Sequence, residues 1–163
     1  MQIGDQIVNS SNSCIPLNVL NEVGYFKINE PLGTDLDMWG RVALQYNVAF
    51  SLEVGSYYNQ GASDRACDIY ISIDELPFGR FIRPNLEKLN DYRKIDQVYG
   101  YINKQLLERA SANIKMGETK NARKLLYKYN GSDLKRKNFW LLMSWVPPTV
   151  TKMLRKIYLK LKY

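Results

Sequence analysis

The sequence predicts an α/β front followed by an all-helical, basic tail, with the organisation changing near Pro84. Three observations carry this reading. Ahead of Pro84, short runs rich in β-branched and aromatic residues alternate with helical patterns, punctuated by glycine and proline. Behind it, long helical patterns follow one another. Charge divides in the same sense. Residues 119–163 hold twelve Lys/Arg and a single acid, Asp133, while the whole chain of 163 residues is +7, so the first 118 residues are net negative.

The elements follow in order. Gln6-Ile7-Val8 is a short strand candidate, and Asn9-Ser10-Ser11-Asn12-Ser13 is a polar loop. Pro16 opens a short helix that Gly24 closes, the expected asymmetry of proline at the start and glycine past the end. Gly33 and Thr34 precede a helix over 35–46, in which Leu36, Trp39, Ala43 and Tyr46 share one face. Asn47 ends it. Val48-Ala49-Phe50-Ser51-Leu52 and Ser56-Tyr57-Tyr58 read as strands on either side of Gly55, and residues 59–63 as a turn. In the back, a long helix is expected over 85–116, interrupted at Gly100 and capped by Gly117. A second covers 119–129, a third runs from Ser132 or Asp133 to Met143, and a last one starts at Thr149 after Pro147-Pro148.

Composition narrows the chemistry. The chain is 45% apolar and 24% charged, which places it with ordinary globular domains rather than disordered or membrane chains. Histidine is absent, which removes His-based triads, His metal sites and His general bases together. Acid–base work then falls to carboxylates, Tyr or Lys. Cys14 and Cys67 are far apart and give neither a metal spacing nor a disulfide framework, so both are expected as reduced, buried thiols in the cytoplasm. The N-terminal residues lack the pattern of a secretory signal, and the apolar stretch 139–146 is too short to span a bilayer.

The most informative stretch runs through Gly24-Tyr25-Phe26, then Gly33-Thr34-Asp35-Leu36-Asp37-Met38-Trp39-Gly40-Arg41-Val42-Ala43, then Asn47-Val48-Ala49-Phe50. It resembles family 2 glycosyltransferases. Their pattern there is an apolar helix ending in Val-Gly-x-Phe, a short acidic loop, Gly-Glu-Asp-x-Asp-Leu-Trp-x-Arg-x-Ala and a strand. Order and spacing match over about residues 5–63. The resemblance implies the acceptor-side part of a GT-A-type nucleotide-diphospho-sugar transferase domain over 1–83, with a helical, basic extension over 84–163. It implies inverting transfer of a sugar from a nucleotide sugar to the hydroxyl of a sugar or lipid-linked acceptor, for cell-surface polysaccharide or glycolipid synthesis. A divalent cation, Mg or Mn, is expected for the complete enzyme and none for this chain, whose residues before Gln6 supply no donor-binding unit. The chain alone is therefore expected to bind no nucleotide sugar, and an uncovered sheet edge to promote self-association.

By the resemblance, Asp35 is the base that takes the acceptor's proton. The physical reading agrees that a carboxylate at a helix start is held ionised by free N–H groups and the helix dipole, yet a plain N-cap reads the same way. Thr34 stands where the family has Glu, a departure at the acceptor site. Asp37 and Arg41 can form an i,i+4 ion pair that supports the loop. A competing reading makes Asp35 and Asp37 a metal-binding Asp-x-Asp, but that motif should follow an apolar strand directly. Thr34, Asp37, Ser11, Asn12 and Gln60 are the expected substrate-binding residues, and no metal ligand is expected. Gln60 lies near a position where some family members carry His, and its oxygen suits Mg or a sugar hydroxyl.

The tail places Val150, Leu154, Ile157 and Leu161 on one helical stripe, with Lys152, Arg155, Lys156, Lys160 and Lys162 largely away from it. Apolar on one side and basic on the other, residues 149–163 read as a helix lying on an anionic membrane, peripheral on the inner face of the plasma membrane. A helix packed on its own domain with a solvated basic face reads equally well. Nucleic acid is not expected, since no helix-turn-helix, zinc or RNA-recognition motif is present. The rival to the enzyme is a non-catalytic module that binds a membrane or a partner protein.

Overall fold

The computed structural model describes residues 8–57, 72, 74–89, 91–147, 149, 150 and 153. It divides into two compact units, 1–71 and 72–163.

The described residues contain helices and no β-strand. This overturns the expected α/β class and the partial GT-A-like domain within it. Val48, Phe50 and Leu52 are 58, 63 and 93% exposed, with no strand beside them among the described residues. Strand propensity is largely the preference of such side chains for a pleated, half-buried surface, and without a paired neighbour it has nothing to act on. The other two strand candidates lie only partly within the described residues: Val8, Ser56 and Tyr57 are irregular, and residues 6, 7 and 58 lie outside.

In the first unit, α1 (Leu17–Val23) starts behind Pro16 and stops at Gly24, as the punctuation predicts. Gly24 has φ +82°, a left-handed value that side chains disfavour, and a Cβ there would stand 3.4 Å from Arg41 Nη1. Helix α2 (Thr34–Gln45) starts one residue earlier than expected, with left-handed Gly33 (φ +82°) at its N-cap and the Asp37 N–H donating to Gly33 O at 3.0 Å. Val19 and Val23, four apart on α1, pack on Met38 of α2, with Ile15, Leu20, Trp39, Val42 and Tyr46 around them. The buried face of α2 is therefore centred on Asp37, Met38 and Arg41. The expected face through Leu36 and Ala43 is displaced, with Ala43 exposed and Leu36 half-buried.

The second unit is built on α4 (Tyr92–Met116) and α5 (Thr119–Lys128), joined by Gly117 and Glu118. Ile102, Leu106, Ala110 and Ile114 repeat every four residues along α4 and are buried with Ala122, Leu125 and Leu126 of α5. The α4 helix begins at Tyr92 rather than 85, because the Asp91 carboxylate accepts from the Arg93 and Lys94 N–H groups. Gly100 lies within it and does not interrupt it; Gly117 closes it as expected. Ahead of α4, α3 (Pro77–Ile82) and a 3-10 helix (Arg83–Lys88) pack in the same unit. Helix α6 (Leu134–Met143) is capped by Asp133, which accepts from the Arg136 N–H. It has no fully buried residue. Residues 149, 150 and 153 are helical, and the rest of the expected last helix lies outside the described residues.

Candidate functional site

The predicted site residues that fall together are Thr34, Asp35 and Asp37, all in the first turn of α2. The turn is oriented by Arg41, one helical turn further on. Arg41 is 3% exposed and Asp37 is fully buried. Arg41 Nε and Nη2 reach Asp37 Oδ2 at 3.0 and 2.9 Å. The same guanidinium donates to three carbonyls where α1 ends: Val23 O, Gly24 O at 2.8 Å and Tyr25 O at 2.9 Å. The last carbonyls of a helix have no partner within it, and here one side chain from α2 satisfies the final one, Val23 O, and the next two in the chain. A planar fork with five N–H groups can do this where a lysine cannot. The ion pair expected at this spacing is thus an internal brace between two helices. Asp37 Oδ1 is buried with no hydrogen-bond partner among the described residues.

Asp35 is half-buried in that same turn, and its Oδ1 accepts the Leu36 N–H at 2.8 Å. The N-cap is Gly33, so Asp35 sits one position beyond Thr34, inside the helix. Its charge faces the positive end of the α2 dipole. Phe26 and Trp39 meet edge to face at 6.1 Å and close the apolar side of this corner. At the far end of α2 the Tyr46 hydroxyl donates to the Glu22 carboxylate. That hydrogen bond, together with partial burial and the nearby negative charge, raises the Tyr46 pKa above its ordinary value.

Ser11 and Asn12 lie in the turn at residues 9–13, whose polar groups mostly satisfy one another. The Asn9 N–H donates to Asn12 Oδ1 at 3.1 Å, the Ser11 N–H to Asn9 Oδ1 at 2.9 Å and the Ser13 hydroxyl to Asn9 O at 2.5 Å. The Ser11 and Asn12 side chains are exposed. Gln60 lies outside the described residues, as does Cys67. Cys14 is exposed, against the expectation of a buried thiol: it lies in the irregular segment between the turn and α1, outside the small core.

Among the described residues no group of three or more Asp, Glu or Cys can hold a metal ion. Among them also, no helix is long and apolar enough to cross a membrane.

Sequence reasoning found the Asp37–Arg41 pair from its i,i+4 spacing but missed two features. Arg41 also grips the main-chain carbonyls where α1 ends, which that spacing does not signal. Glu75 is nearly buried in the second unit, with Arg83 Nη2 at 2.7 Å and Lys128 Nζ at 3.0 Å. Burial alone pushes its carboxyl pKa up, but the hydrogen bonds and charges of Arg83 and Lys128 together hold it below the ordinary value. Nothing in the sequence pairs residues so far apart.

No family model matches this chain, and neither a curated protein nor a solved structure does.

Proposed function

We propose that this chain carries the acceptor side of an inverting sugar transfer, with Asp35 as the general base. The observation that carries the reading is the placement of Asp35. It is a half-buried carboxylate in the first turn of α2, on a helix whose orientation is held by the buried Asp37–Arg41 brace. A base must be held to within a fraction of an ångström of its proton donor, and a carboxylate on a braced helix start meets that need better than one on a free loop. In the step proposed, a carboxylate oxygen of Asp35 takes the proton of the acceptor hydroxyl. The acceptor oxygen bonds to the anomeric carbon from the face opposite the leaving group. The anomeric carbon–oxygen bond to the diphosphate breaks, and its electron pair leaves with the diphosphate. Configuration inverts because the bond forms and breaks on opposite faces. The absence of histidine supports a carboxylate in this role. Thr34, in the same turn, offers a hydroxyl to the acceptor sugar.

The test is Asp35→Asn in the product of the whole reading frame, assayed as release of nucleoside diphosphate from UDP- and GDP-sugars. Transfer should fall about a hundredfold or more, while stability stays within about 1 kcal/mol, because the charge lost from the first helical turn interacts only weakly with the helix dipole. Near-normal turnover by the folded variant removes Asp35 from the chemistry.

A further inference from the structure

We infer that the outer face of α6, continued by Trp145, docks on an anionic phospholipid bilayer. The inference is independent of sugar transfer and rests on a different part of the chain.

Helix α6 is amphipathic in an unusual sense. Its inner side, through Trp140, Leu141 and Met143, is half-buried, and its outer side carries large apolar groups in water. Phe139 is 54% exposed, Leu142 72% and Trp145 68%. Phe139 and Leu142 are three apart and share a face, with exposed Lys135 one turn ahead on the same side and exposed Arg136 beside it. Val150 and Met153 are exposed beyond the turn. A partner that accepts this surface must take up apolar side chains and positive charge together.

The charge is one-signed. Asp133 is the sole acid in 119–163, and its carboxylate is engaged as the α6 N-cap. Basic groups also sit against the indole rings, exposed Trp145 and half-buried Trp140. The Arg123 guanidinium lies 4.4 Å from the Trp145 ring centroid and donates to Ser144 O at 2.6 Å, which fixes it under the indole. Lys115 Nζ lies 5.7 Å from the Trp140 ring. Indole rings with basic neighbours match the headgroup layer, where the ring settles among the glycerol groups and the cations meet phosphate. Basic residues near an anionic leaflet are attracted additively and lose that attraction as salt rises. Leucine and phenylalanine side chains standing in water gain a further, salt-independent term on entering the acyl boundary. A nucleic acid would supply the phosphates but has no apolar phase for Phe139 and Leu142.

The experiment is flotation of the full chain with phosphatidylcholine vesicles and with vesicles in which about a third of the lipid is phosphatidylserine. Binding is expected to the anionic vesicles alone, falling as salt is raised. Leu142→Gln with Trp145→Ala should weaken it about tenfold or more, the loss expected when large apolar groups no longer insert. Lys135→Gln with Arg136→Gln should weaken it several-fold and flatten the salt dependence. All four side chains are exposed, and helical circular dichroism verifies that both variants fold. Three results overturn the inference: equal binding to neutral and anionic vesicles, full binding by the Leu142/Trp145 variant, or displacement from vesicles by equimolar single- or double-stranded nucleic acid.

Discussion

Helices α1 and α2 are joined by a polar brace, whereas α4 and α5 are joined by an apolar seam. The first pair has three buried apolar residues, Val19, Val23 and Met38, and beside them the Asp37–Arg41 pair with its three carbonyl partners. The second pair interleaves Ile102, Leu106, Ala110 and Ile114 with Ala122, Leu125 and Leu126. An apolar seam spreads its contribution over many contacts, each replaceable in part. A polar brace concentrates it in one side chain with fixed geometry, and losing either partner strands a charge in the interior. The short helices of the first unit show why this matters: seven residues of α1 cannot hold a helix by themselves in water.

Breaking the brace should therefore be the larger perturbation. Arg41→Ala is expected to cost about 4 kcal/mol, as for other buried pairs deprived of one partner. The loss should be read as faster hydrogen exchange in α1 and α2. Arg41→Lys keeps the charge but not the fork, and should recover only part of it. A loss under about 1 kcal/mol would mean that solvent replaces the guanidinium, and the contrast between the two joints would collapse.

The seam comes next. Leu125→Ala, at a fully buried position, should cost about 3 kcal/mol in urea unfolding of the second unit, from lost transfer energy and the cavity left behind. Swapping Leu125 for Met should cost much less, since cores tolerate changes that conserve volume. No such substitute exists for Arg41, and this pair of variants sharpens the comparison most directly.

The smallest effect is expected at Glu75, a buried ion-pair partner in the second unit. Its folded pKa is held below the ordinary 4.5, so its ionised form is favoured in the native state. The corresponding stability is fully present above that ordinary value and is lost as pH falls through the lower folded one. Melting the second unit from about pH 6 to about pH 3 should show this acid-side loss, and Glu75→Gln should remove that share of the slope. The magnitude should stay within about 1 kcal/mol, because Lys128 and Arg83 are partly in water. An unchanged slope in the variant would assign the acid sensitivity to other carboxylates.

Local signals were the legible part of the sequence. Pro16 and Gly24 bound α1, Gly117 closes α4 and Asp133 caps α6, because each acts on backbone groups within four residues of itself. Signals that depend on distant neighbours misled. Residues 48–52 have strand composition, but a strand is completed by another strand, and none is present among the described residues. The helical pattern reads from 85 onward, but Leu89 leaves the 3-10 helix in an extended conformation and Asp91 caps a new start for α4. At the candidate site, the helix start near Asp35 was readable to within one residue. The depth of Asp37 and Arg41 was not, since an i,i+4 charge pair looks the same in sequence whether water or another helix lies over it.

The way Arg41 grips the end of α1 also bears on how such a sequence can diverge. The groups it binds at 23, 24 and 25 are main-chain oxygens, which every amino acid supplies. Tyr25 can be exchanged for many residues without withdrawing its carbonyl, because its side chain is more than half exposed. Positions 37 and 41 have no such latitude, because carboxylate and guanidinium must match each other as well as the main chain. Apart from Gly24, whose left-handed backbone favours glycine, one side of the joint is free to vary while the other is fixed by pairing. Descendants of this chain would keep the brace as two letters four apart, within a neighbourhood otherwise rewritten.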